Sequence, residues 1–88
     1  MSDWDASKFY EDNEQNQASF LVGTSPIHTD LRSHLSLALK QILHEKLDGY
    51  PFLATVHTQD GDVSLAPEQY RALLEIRRAK DIQADSPA

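Results

Sequence analysis

Four histidines, fourteen acids and a short run of cations are the side chains of this 88-residue chain that could do chemistry. A metal site on a helix wants two imidazoles three or four residues apart, so that both rings meet one ion. His28, His34 and His44 stand six and ten residues apart, and neither HxxxH nor HExxH occurs. His44 and Glu45 are adjacent and diverge by about 100° around a helix. His57 could reach a helix residue only through the fold. A His-based metal-binding protein or enzyme is therefore a second alternative with little support from spacing, and hydrogen-bonded or solvated imidazole is the simpler account.

The carboxylates and hydroxyls lead to the same place. Acid-base catalysis needs two acids converging in a pocket with separated pKa values. Asp60 and Asp62 flank Gly61, but turn chemistry explains both. A calcium loop would need ligand spacing and a late glutamate that are missing here. Ser25, Ser33, Ser36 and Ser64 read as a helix cap, two helix-surface residues and a strand residue, not as activated nucleophiles. Gly23, Gly49 and Gly61 are the only glycines, so no phosphate-cradling loop exists. The expectation is a protein with no catalytic residue, no cofactor and no metal.

The cations sit together. Arg71, Arg77, Arg78 and Lys80 fall between residues 67 and 80, opposed by Glu68 and Glu75. They could contact an anion or an acidic partner, and a nucleic-acid-associated regulator using this basic face is the first alternative function. Against it, the chain carries a net charge of −6, a poor basis for holding phosphate backbones. Five acids of residues 1–20 (Asp3, Asp5, Glu11, Asp12 and Glu14) stand against Lys8 alone. Embedded in that acidic stretch are Trp4, Phe9 and Tyr10, the residue types that dominate binding hot spots. They either anchor a partner or complete a small core.

The elements that must position these residues follow from patterning. Glu11 to Gln17 is a polar run that buries little apolar surface, so residues 1–18 read as an acidic, disordered arm. A short helix started by Ser2 and Asp5 would place Ala6, Phe9 and Tyr10 on one face. Ser19 to Gly23 is an apolar run that could form a strand. Ser25 as N-cap and Pro26 at the first position predict a long helix from Pro26 to Asp48. Ile27, Leu31, Leu35, Ala38, Leu39 and Ile42 form its inner stripe, Leu37 lies off that stripe, and Gly49 is placed to end it.

Asp60-Gly61 predicts a two-residue hairpin turn, with Thr58 facing Val63 and Val56 facing Leu65. That register directs Phe52, Ala54, Val56, Val63 and Leu65 to one side and Leu53, Thr55, His57 and Ser64 to the other. Pro67 and Glu68 open a second helix with Tyr70, Leu73, Leu74 and the stem of Arg77 inside. Residues 83–88 read as a disordered tail.

The fold class is α+β: one small domain over residues 19–82 with a helix-strand-strand-helix core, an N-terminal strand as an optional addition, and a flexible acidic arm. With no cysteine, no disulfide can reinforce so small a core. Absence of a 20-residue apolar run argues against a membrane span, and the acidic start is unlike a secretory signal, so a cytoplasmic protein is expected. A lone hairpin needs further cover, which favours a homodimer. The function expected is a small, non-catalytic protein-protein interaction module, an adaptor, regulator or inhibitor. Trp4, Phe9, Tyr10, Leu37, Leu53 and His57 are its candidate partner-binding residues.

Overall fold

A computed structural model describes residues 4–22 and 29–85. The element order is α1 (Ala6–Asn13), β1 (Gln17–Val22), β2 (Thr29–His34), α2 (Leu35–His44), β3 (Leu53–Thr58), β4 (Gly61–Leu65) and α3 (Pro67–Asp85). The four strands form one antiparallel sheet in the order β2-β1-β3-β4. The α+β class is as expected, and of the optional strand at residues 19–23, residues 19–22 belong to β1, a central strand of the sheet, while Gly23 lies outside the described residues.

One face of the sheet packs against the helices. Ala18, Phe20 and Val22 of β1 alternate inward, joined by Ala54 and Val56 of β3 and Leu65 of β4. From the helices come Tyr10, then Leu35, Ala38, Leu39 and Ile42, then Tyr70, Leu73 and Leu74. Phe20, Phe52 and Tyr70 meet edge to face, with centroids 5.8, 5.9 and 6.3 Å apart. Edge-to-face contact suits the ring quadrupoles. The Tyr70 hydroxyl accepts a hydrogen bond from the Phe52 amide at 3.0 Å.

The acidic arm is corrected at its C-terminal part. Residues 6–13 are helical and residues 17–18 belong to β1. Asp5 is the N-cap, accepting from the Lys8 amide at 3.2 Å. The helix is held because Tyr10 is only 1% exposed, a burial that composition averaged over a polar run conceals. Ala6, Phe9 and Tyr10 do share the inner face. Residues 1–3 lie outside the described residues. At the other end α3 continues to Asp85, so residues 83–85 of the expected tail are helical, and 86–88 lie outside the described residues.

The long first helix is also corrected. Thr29–His34 is a strand, and only Leu35–His44 is helix. Ser25, Pro26, Ile27 and His28 lie outside the described residues. Leu31 fits either period, so spacing alone favoured the helix. What decides for β is a partner: each residue of Thr29–His34 stands opposite one of β1. The new helix start needs no side-chain cap. The Leu35 amide donates to the Asn16 carbonyl at 2.9 Å, and Ser36 donates to Glu14 at 3.1 Å. Carbonyls of the turn after α1 thus satisfy donors that every helix leaves open.

At its other end α2 stops at Glu45 rather than near Gly49. The Leu47 amide reaches back to the Ile42 carbonyl at 2.9 Å and Lys46 to Leu43 at 3.2 Å. This is the Schellman pattern. Lys46 occupies its left-handed position, at φ 58°.

The hairpin register moves too. Thr58 pairs with Gly61, His57 with Asp62, Val56 with Val63 and Ala54 with Leu65. Gln59 and Asp60 are therefore the turn. The Asp60 amide donates to Thr58 Oγ1 at 3.1 Å, and that hydroxyl donates to the Gly61 carbonyl at 2.7 Å. Gly61 takes the positive φ of 117° just after the turn. The shift preserves parity, so the expected division of side chains between faces stands.

A left-handed lysine is strained where glycine is not. Replacing it also loosens the unfolded chain, which offsets part of the gain. Lys46→Gly is expected to stabilise the fold by about 0.5 kcal/mol net. Urea denaturation should show a raised midpoint with an unchanged slope.

Candidate interaction surfaces

Among the described residues, no helix covers the second face of the sheet. Register places Gln17, Ser19 and Leu21 of β1 on it, with Asp30, Arg32 and His34 of β2. β3 adds Leu53, Thr55 and His57, and β4 adds Asp62 and Ser64. An antiparallel sheet tolerates one wet face, and most of these residues are polar as that requires. The exception lies at the end of the β1-β3 ladder. Leu21 and Leu53 stand opposite each other on the two central strands, and Leu53 is 74% exposed.

The two acids on this face each have a side-chain partner. Arg32 Nε donates to Asp30 Oδ1 at 3.0 Å. His57 Nδ1 lies 2.6 Å from Asp62 Oδ1. Both pairs are exposed, so each contributes little to stability. With histidines counted neutral, as in the chain's net charge of −6, the face carries Asp30 and Asp62 against Arg32, so it holds only a small part of the chain's excess acid.

Of the expected partner-binding residues, Leu53 and His57 share this face. Leu37 does not. It is 53% exposed on the solvent side of α2, whereas Leu35, Ala38, Leu39 and Ile42 of that helix are buried. The aromatic trio is not a free anchor. Tyr10 is buried, and Trp4 and Phe9 pack on the core with their rings 5.6 Å apart. A partner could engage Tyr10 only by opening the core, because the amphipathic face of α1 is used inside the chain.

The basic residues of α3 are largely committed to neighbours. Arg77 donates to the Tyr10 hydroxyl at 3.2 Å and pairs with Asp81 at 2.8 Å. Burial acts to lower its pKa, but the hydrogen bonds to Tyr10 and Asp81 and their charge outweigh it, so the guanidinium is held more firmly cationic than usual. Arg77 Nε is buried without a hydrogen-bond partner. Arg78 bridges Asp48 and Glu75, each at 3.1 Å. Lys80 Nζ stands 5.6 Å from the Tyr10 ring centroid, within cation-π range. Arg71 is exposed. The run that looked like a basic surface thus serves in large part to fasten α1 and the loop after α2 to α3.

Among the described residues no three His, Asp or Glu side chains come together as a metal-binding group. No helix among them is long and apolar enough to cross a membrane. Two features escaped sequence reading. The His57-Asp62 pair was hidden by the two-residue register difference, which would have set His57 against Ser64. Leu21 opposite Leu53 could be found only once β1 was known to be central.

Arg77→Ala removes a hydrogen bond to a charged donor and the packing of its stem. We expect it to cost about 1–2 kcal/mol, whereas Arg71→Ala should stay within about 0.5 kcal/mol of the native chain. Chemical denaturation of the two variants checks the difference.

No family model matches the chain, and comparison with curated proteins and with solved structures finds no match.

Proposed function

We propose that this protein is a non-catalytic protein-protein interaction module whose working surface is the open face of its sheet, and that a second copy of the chain is a partner there. The observation that carries the reading is the Leu21-Leu53 pair, on the two central strands of a face without helix cover among the described residues. Exposed apolar surface bordered by polar groups is what a partner surface can bury with gain. This face has that arrangement: Leu21 and Leu53 at one end of the two central strands, with Asp30, Ser19 and Thr55 beside them.

Charge favours a second copy. Two chains of net charge −6 repel wherever unmatched acids meet. On this face Asp30 is paired with Arg32, and Asp62 is hydrogen-bonded to His57. Two-fold pairing would set the same surface against itself, as isologous dimers do. Roles as an adaptor, a regulator or an inhibitor are all compatible with such a module. The basic face of α3 supports a nucleic-acid role less well, because Arg77 and Arg78 are already paired with acids of the same chain.

Leu53→Asp places a charge in the exposed leucine pair of this face and removes no core contact. Sedimentation velocity over a concentration series should show reversible self-association of the native chain, weakened at least about tenfold in the variant. Circular dichroism of the variant should match the native spectrum. A native chain that stays monomeric at high concentration overturns the second copy as partner.

A further inference from the structure

Away from the open sheet face, a cleft of ≈ 490 Å³ separates the C-terminal half of α1 from the tip of the β3-β4 hairpin. Phe9 and Val63, both partly buried against the core, supply its apolar surface. Asp12 and Asp60 are its charged lining residues, and no cation lines it. Asn13 and Asn16 lie on the α1 side.

Both walls are fixed by side-chain hydrogen bonds. Asn13 Nδ2 donates to the Phe9 carbonyl at 2.9 Å, and Asn16 Nδ2 donates to Asn13 Oδ1 at 2.7 Å. Across the cleft, the Thr58 hydroxyl ties the hairpin turn as described above. Asn13 is the one buried polar residue among those described, at 8% exposure. A carboxamide has two donor hydrogens and two acceptor sites. Those two bonds give each polar atom of Asn13 a partner and leave one donor hydrogen and one acceptor site on a side chain that lines the cleft.

The charge is as one-sided as the hydrogen bonding. Asp60 has no ion pair among the described residues. The only ion pair of Asp12 is with Lys8, 3.6 Å away, with both side chains exposed, which is a weak claim on its charge. A bare metal ion is a poor match, since no three ligating carboxylates or imidazoles converge. The lining suits a cation that brings several donors and an alkyl stem. Guanidinium offers five N–H donors in a plane for carboxylate and amide oxygens. Its methylene stem can lie along Phe9 and Val63.

We propose that this cleft receives an arginine side chain from an extended segment of a partner protein, with Asp60 and Asp12 as its counter-charges and Asn13 as the buried hydrogen-bonding group. This surface is separate from the leucine pair, and the two can succeed or fail independently.

The test titrates the full chain with a capped Gly-Leu-Arg-Leu-Gly peptide at physiological salt, followed by the side-chain amide resonances of Asn13 and Asn16 and by Trp4 fluorescence. Trp4 reports on the cleft because its ring touches Phe9. Saturable shifts of both amides are expected, with affinity falling at least about tenfold in Asp60→Asn. Asparagine suits the turn at that position, so the hairpin should persist. Glu45→Gln, which removes one acid at the C-cap of α2, should leave binding unchanged. A peptide with citrulline in place of arginine should not bind. The same titration on Leu53→Asp should match the native chain, which separates the cleft from self-association. Absence of saturable shifts, equal losses in Asp60→Asn and Glu45→Gln, or equal binding of the citrulline peptide would each overturn the proposal.

Discussion

The contact on which the rest of the structure leans is the hydrogen bond from the Phe52 amide to the Tyr70 hydroxyl, set inside a triangle of aromatic rings. Phe52 precedes β3, Phe20 lies on β1, and Tyr70 opens α3. One cluster therefore joins the two central strands to the last helix. The Phe52 amide is buried and needs a partner. A phenol arriving from α3 supplies it while its ring completes the apolar packing. A small domain without disulfides has few such joints. The wider core assembles around this one, with Leu39 and Ile42 of α2 and Leu73 and Leu74 of α3 filling the same layer.

A second set of contacts makes α1 part of the domain. Its Tyr10 ring enters the core, and the hydroxyl of that ring accepts from Arg77 on α3. The carbonyls of Glu14 and Asn16, just beyond α1, receive the first amides of α2. The segment thus works at three places: it fills the core, orients a cation and caps a helix. The same commitments remove Tyr10 and Arg77 from the surface available to partners. What remains outside is a sheet face with two leucines at one end of its central strands, and a cleft lined by Asp12 and Asp60.

Much of the fold was legible along the chain. The α+β class, the hairpin over residues 53–65, the division of its side chains between two faces and the inner stripe of α3 all follow from local pattern and turn chemistry. Period-two alternation in Leu53-Ala54-Thr55-Val56 survives a two-residue change of register, so the faces were right although the pairings were not. The site was less legible. Leu53 and His57 were visible as outward residues, but Leu21, Asp62 and Asn13 acquire meaning only from neighbours distant in sequence. Trp4, Phe9 and Tyr10 read equally as anchors or as core, and Tyr10 is buried in the core; an aromatic in a polar run looks the same whether it awaits a partner or its own core.

The amino-acid sequence settles what short-range physics settles: where glycine and proline punctuate, which side of each strand is apolar, and that the chain is strongly acidic. Long-range packing decides the remainder. Thr29–His34 satisfies a helical stripe and a strand alternation alike, and only the open edge of β1 selects the strand, because backbone amides there need partners that a helix would withhold. Lys46 ends α2 in a left-handed turn although Gly49 lies nearby, because the reach of Leu47 back to Ile42 is set by where the core ends. The free sheet face has the same origin. With all three helices gathered on Phe20, Phe52 and Tyr70, nothing among the described residues remains to cover Leu21 and Leu53.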